Sequence, residues 1–249
     1  MGITLLGTKK SSLSKIRGKS HIFALRTRFP DPRWEILPGG VAGDIFCPIG
    51  EPRDEDSLLF QLARVSQLIA NLSERRGGLL VHGALAAFGG NGVILAGASG
   101  SGKTTVSKRL SPPWVSLCDD VSLIVKKKAG EYWAHPWPTW SRVARGGNGG
   151  ATVLQPIRLH AVFVLRKSPV DRVHRLGRSQ ALAELLEHSQ QASAIMSMGL
   201  DRVAERPLRV MRFHNSLDLV YAISVFKLFH TLEGAFWEKM EKALAGVKP

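Results

Sequence analysis

One run of eight residues constrains this chain more than any other. Gly97-Ala98-Ser99-Gly100-Ser101-Gly102-Lys103-Thr104 meets the pattern G-x-x-x-x-G-K-[ST] at every fixed position. Glycines let a backbone curl until successive N–H groups converge on one concavity, where phosphate oxygens take the place of water. The lysine adds a mobile cation for the β- and γ-phosphates, and the threonine hydroxyl a ligand for Mg2+. An apolar strand is predicted before the loop and a helix from Lys103 to about Leu110 after it. The positive end of that helix adds to the attraction for an anion. The expectation is an α/β chain that binds ATP or another nucleoside triphosphate with Mg2+, Thr105 included in the binding segment.

Apolar spacing gives the surrounding elements. Residues 1–53 read as a small β-rich N-terminal portion, with short apolar runs broken by Pro30, Pro32, Pro38, Gly39 and Gly40. Asp54–Arg76 reads as a helix, because Leu58, Leu62, Val65, Leu68, Ile69 and Leu72 recur at helical spacing. Residues 54–249 are then the nucleotide-binding α/β domain. Within it Leu79–Phe88 is predicted as a strand, Gly89-Gly90-Asn91-Gly92 as a turn and Val93–Ala96 as the returning strand. Val115–Cys118 and Leu159–Leu165 read as strands, and Ser179–His188 as helical. Arg209–Phe213 is predicted as a late strand, and Ser216–Ala245 as one long C-terminal helix carrying Leu219, Ile223, Phe226, Phe229, Leu232 and Phe236.

A nucleotide site needs further residues before it can do chemistry. Asp119-Asp120 ends a β-run sixteen residues after Lys103. A carboxylate there can face Mg2+ and the γ-phosphate, and a second beside it can accept the proton of an attacking hydroxyl. The plainer alternative is that one aspartate caps a turn. His82, on an apolar strand and followed by Gly83, reads by itself as a core or turn histidine. Arg142 and Arg145 are candidates for neutralising charge in the transition state. Glu131 is a candidate second carboxylate for the metal, and His135 to Trp140 a ledge for substrate.

His82-Gly83, the hairpin Gly89–Gly92, the loop Gly97–Thr104 and the pair Asp119-Asp120 together resemble the C-terminal domain of bacterial HPr kinase/phosphorylase. That family carries a P-loop related to the one in phosphoenolpyruvate carboxykinase and transfers phosphate from ATP to a protein serine. The likeness covers residues 79–125. Length and N-terminal character resemble the HPr-kinase-related proteins encoded beside ribosomal-peptide modification genes, where such kinases phosphorylate a precursor peptide. The resemblance implies an α/β P-loop core of the HPr kinase/PEP carboxykinase type behind the small β-rich portion. It implies His82 near the reacting phosphate, Asp119 as general base and Asp120 as metal ligand, the two aspartates being exchangeable. It also implies a peptide or protein phosphoacceptor, and a homo-oligomer, since members of that family are hexamers. Thr104-Thr105 departs from it, standing where HPr kinases commonly have Ser-Glu.

Bulk properties narrow the alternatives. The chain has 249 residues, 44% apolar and 22% charged, an ordinary globular balance. Two cysteines, Cys47 and Cys118, are too few for a disulfide framework. No run reaches the roughly 18 apolar residues of a membrane span, and the first residues lack a secretory pattern, so a cytoplasmic protein without membrane partners is expected. The net charge of +14 attracts polyanions. It comes with no nucleic-acid recognition motif, which ranks nucleic acid last among partners. The readings carried forward are a hydroxyl-directed kinase, acting on a peptide, a protein or a small molecule, and a nucleotide-binding regulator without phosphotransfer.

Overall fold

The computed structural model describes residues 23–28, 31–36, 45–46, 66, 69–128, 130–137, 156–194 and 202–247. The chain divides into two compact units, 1–67 with 196–205 and 68–195 with 206–249. In the first unit β1 (Phe23–Arg28) lies between β2 (Asp31–Ile36), antiparallel to it, and β3 (Ile45–Phe46), parallel to it.

The second unit is mixed α/β with a mostly antiparallel sheet, nine strands among the described residues. Its strands are β4 (Leu79–Val81), β5 (Gly83–Phe88), β6 (Asn91–Ala96), β7 (Val115–Cys118), β8 (Ser122–Lys128), β9 (Glu131–Pro136), β10 (Ile157–Lys167), β11 (Arg172–Arg175) and β12 (Ser224–His230). The pairing runs β4-β8-β9-β10-β6-β5-β7, with β12 on β10 and β11 on β12. Only β6–β10 and β10–β12 are parallel within this sheet. Four helices are labelled α1 (Lys103–Arg109), α2 (Arg178–Ala192), α3 (Arg202–Ala222) and α4 (Phe236–Ala245).

The central strands are apolar on both faces because helices cover both. Leu85, Ile94, Ala96, Val162 and Val164 pack in one core with Ala181 and Leu185 of α2 and Leu219 and Val220 of α3. The intervening residues Ala84, Val93, Leu95, Phe163 and Leu165 pack in the other with Val106 of α1 and Phe236, Met240 and Leu244 of α4. Successive strand side chains point to opposite faces, so Val93-Ile94-Leu95 must be apolar without interruption.

Several expectations change. Leu79–Phe88 is two strands broken at His82: β4 pairs with β8, whereas β5 pairs with β6 and β7. The corner at His82 passes the chain from one set of partners to the other. Arg209–Phe213 is not a strand but lies inside α3. The predicted long C-terminal helix is the end of α3, then β12, then α4. Val225, Phe226, Leu228 and His230 are buried in β12, on a strand flanked by β10 and β11. Tertiary pairing there overrides a helix-like spacing. Of the helix predicted over Asp54–Arg76, residues 69–74 are helical, while 54–65 lie outside the described residues.

Candidate functional site

Three chain corners meet at one end of the sheet. The glycine loop leaves β6 after Ala96, which pairs with Gly83, the first residue of β5 after the His82 corner. Asp119 and Asp120 form the corner between β7 and β8; Cys118 pairs with Leu85 and Ser122 with Val81. The Asp119–Asp120 corner is therefore in register with the strands on either side of His82.

Short hydrogen bonds fix these corners to one another. The buried Ser122 hydroxyl donates to the Gly83 carbonyl at 2.7 Å. The Cys118 thiol donates to the Val121 carbonyl across the aspartate turn, 3.2 Å away, and burial pushes that thiol's pKa up. The Gly97 N–H donates to the His82 carbonyl at 3.2 Å, and the His82 N–H to the His188 carbonyl of α2 at 3.0 Å. His82 thus touches the loop through its backbone and the aspartate corner through its ring. Its Nε2 lies 3.1 Å from Asp120 Oδ1, and its Nδ1 3.2 Å from Gln191 Oε1.

Gly83 has no room for a side chain. A Cβ there would sit 2.7 Å from Ile94 Cγ2 and 3.1 Å from the Ala96 backbone. Gly83→Ala is expected to destabilise the protein by about 1–3 kcal/mol through overpacking, read as a lower midpoint in urea with an unchanged slope.

The glycine loop is closely wound. A Cβ on Gly97 would collide with the Ser101 hydroxyl, which is itself buried and has no hydrogen-bond partner among the described residues. Lys103 opens α1 and is buried, its ammonium donating to the carbonyls of Gly97 at 2.8 Å and Ala98 at 3.1 Å. Burial lowers its pKa from the ordinary lysine value, while the charges of Asp120 and then Asp119 act in the opposite direction. Both aspartates are thus close enough to act electrostatically on the ammonium at the loop. A partly desolvated cation of this kind gains from an added anion. Thr104 and Thr105 are exposed in the first turn of α1, and Ala98, Ser99, Gly100 and Gly102 complete the curl.

The remaining candidates fare differently. Arg142 and Arg145 lie outside the described residues, as do Pro138, Thr139 and Trp140 of the predicted ledge. Glu131 is engaged elsewhere: Trp133 Nε1 donates to it at 2.9 Å and Lys128 pairs with it at 3.0 Å. His135 is half-buried on β9, and burial lowers its pKa. Among the described residues no group of three or more His, Cys, Asp or Glu forms a ready metal centre. A separate cavity of about 350 Å³, lined in part by Tyr132, Arg158, His160 and Arg175, opens at the start of β10. The glycine loop lies beside the other end of that strand, where Val164 pairs with Ala96.

Gln191 and Ser122 were not singled out from the sequence. Gln191 lies 109 residues from the histidine it meets, on a helix whose pattern signals only amphipathic packing. Ser122 follows the aspartate pair by two residues but carries no motif.

The scan of family models matches residues 45–245 to the family described as SynChlorMet cassette protein ScmC. Among solved structures, the chain is similar to the Hpr(Ser) kinase/phosphatase from Coxiella burnetii. The identity is 13% and the TM-score 0.31, over 67% of this chain and 93% of that one. The search of curated proteins gives no match. With the family match spanning most of its length, the chain belongs to the SynChlorMet cassette protein ScmC family.

Proposed function

We propose that this chain is an ATP-dependent kinase that transfers the γ-phosphate to a hydroxyl, foremost a serine of a peptide or protein. One arrangement carries the reading: the glycine loop that holds the buried Lys103 ammonium leaves β6 beside the His82 corner, whose ring lies 3.1 Å from Asp120 of the acidic doublet. A structural lysine needs neither the loop nor the doublet. A phosphotransfer site needs all three, because triphosphate, metal and acceptor proton must be handled within a few ångströms.

The loop fits a polyphosphate on its own terms. Its buried Ser101 hydroxyl has no hydrogen-bond partner among the described residues, and the loop is open at Gly100, where a Cβ would meet nothing within 4 Å. Lys103, now on its own loop's carbonyls, would turn to the β- and γ-phosphate oxygens. Magnesium commonly takes one or two carboxylates plus substrate phosphates rather than an all-protein cage, so the Thr104 hydroxyl and Asp120 suffice to hold it. When bound, it would neutralise charge on the phosphate oxygens.

The step itself is a displacement at the γ-phosphorus. The acceptor oxygen bonds to it, its proton passes to Asp119, and the bond to the β-phosphate oxygen breaks to release ADP. His82, held to Asp120 and Gln191, orients that carboxylate beside the reacting phosphate. The family's description as a cassette protein agrees with a dedicated acceptor supplied by a companion gene.

The test incubates the protein with ATP·Mg and candidate acceptor peptides, then reads intact masses. A mass gain of one phosphoryl group on a peptide serine is expected. Tight ATP binding with no phosphorylated product on any peptide, protein or small hydroxyl compound would replace the kinase reading with a nucleotide-binding regulator.

A further inference from the structure

Behind the glycine loop lies a histidine that plays no part in the chemistry above. His230 ends β12, where it pairs with Lys167 of β10, and its side chain is buried. Its Nε2 lies 3.1 Å from the carbonyl oxygen of Ser101. A carbonyl only accepts, so Nε2 carries the proton and donates. The ring also occupies the space beside Gly102: a Cβ there would come within 3.0 Å of His230 Cε1. Gly102 has φ +97°, a left-handed conformation that a side chain would further strain.

The ring is held in turn by its surroundings. The Ser168 N–H donates to the His230 carbonyl at 3.0 Å, and Phe236 meets the imidazole edge-on at 6.2 Å between centroids. Arg109, in the last turn of α1, donates to the carbonyls of Thr231 at 3.0 Å and Gly234 at 2.8 Å. The Thr231 N–H donates to Asp171 Oδ1 at 2.6 Å. The loop is therefore tied to the end of β12, and the helix to the segment joining β12 to α4.

We propose that His230 is a positioning residue that sets the peptide plane between Ser101 and Gly102, so that the loop's amides face a phosphate. In a trans peptide the C=O and N–H point in opposite directions. Holding the Ser101 carbonyl against His230 turns the Gly102 N–H to the side away from it. Without that donor, the Ser101–Gly102 peptide can rotate and place a carbonyl, which repels phosphate, where a donor is required. The inference rests on the phosphate-binding reading of the loop, and it explains why a buried histidine stands in an otherwise apolar layer with Phe226, Leu228 and Phe236.

The test compares the full chain with His230→Leu, which removes the donor, and His230→Gln, whose amide N–H replaces it. Amide hydrogen exchange is measured on the free protein. His230→Leu is expected to speed exchange at residues 99–104 roughly tenfold, the effect of one lost hydrogen bond, with β6 and α4 unchanged. His230→Gln should return it close to wild type. Unchanged loop exchange, or a uniform rise through α1, β12 and α4, would overturn the positioning role. ATP·Mg affinity is the second readout, expected to fall about tenfold in His230→Leu and to recover in His230→Gln. If wild type itself binds no nucleotide while the exchange effect is present, the phosphate reading fails and the tie between His230 and Ser101 stands.

Discussion

Asp119→Asn is expected to reduce phosphate transfer by about 10²- to 10⁴-fold, the usual worth of a general base, while ATP·Mg affinity stays within a few-fold of wild type. The substitution is nearly isosteric, so the turn between Cys118 and Ser122 can keep its shape, held by the Val121 and Gly83 carbonyl bonds. What is lost is a proton acceptor. The nucleotide loses little: Asp119 raises the pKa of Lys103, yet it also repels an incoming triphosphate, and these effects oppose each other. Asp120→Asn should behave differently. Asp120 is the partner of His82 Nε2 and the proposed metal ligand, so its loss should raise the magnesium requirement as well as slow the reaction. Steady-state transfer rates across a magnesium titration separate the two. A transfer rate unaffected by Asp119→Asn but lost in Asp120→Asn would exchange their roles. Retention of the rate in both variants would remove the doublet from the chemistry.

The legible part of this protein was its local part. The loop from Gly97 to Thr104, the turn at Gly89-Gly90, β6 and β7 all follow from short-range rules, in which glycine placement and apolar runs decide the backbone. The two parts that misled did so for physical reasons. In the C-terminal third, Leu219, Ile223, Phe226, Phe229 and Phe236 repeat at helix-like steps, but the segment SVFKLFH is rich in β-formers and has β10 on one side and β11 on the other. A partner strand supplied from 63 residues earlier, as Ala161 is for Ser224, is invisible to any windowed pattern. At His82 the apolar run from Leu79 to Phe88 is interrupted by His82-Gly83 alone, too short a break to end a strand by pattern, and the change of pairing partners marks the corner. The same limit governs the candidate site. Its acidic doublet and lysine stand in one short stretch and can be named in advance. Gln191 and His230 reach it from α2 and β12, at separations of 109 and 129 residues from their partners.

Glu74→Ala is expected to cost about 3–5 kcal/mol of folding stability, because it leaves a cation buried without its partner. Glu74 is fully buried and Arg212 is 2% exposed. The Arg212 Nε donates to both carboxylate oxygens at 3.1 Å, and the Ser193 hydroxyl donates to one of them at 3.1 Å. Deleting the acid strips two donors at once, and Arg212 already has one buried nitrogen, Nη2, without a hydrogen-bond partner among the described residues. For a protein whose total stability is of the order of 5–15 kcal/mol, that loss moves the urea midpoint by a large fraction. The double variant Glu74→Leu with Arg212→Leu should recover most of it, because removing both charges also removes both desolvation penalties. A single-variant cost under about 1 kcal/mol, or a double variant as unstable as the sum of its parts, would show that the two residues do not act as a pair. The damage should also reach the candidate site. Asn215, three residues after Arg212 on α3, donates to the carbonyls of Glu74 at 2.6 Å and Gly78 at 2.9 Å. Gly78 leads directly into β4 and the His82 corner, so a loosened Arg212 turn releases the strand that aims His82 at Asp120. Glu74→Ala should therefore lower transfer activity at temperatures where the protein is still folded, and the double variant should restore activity together with stability.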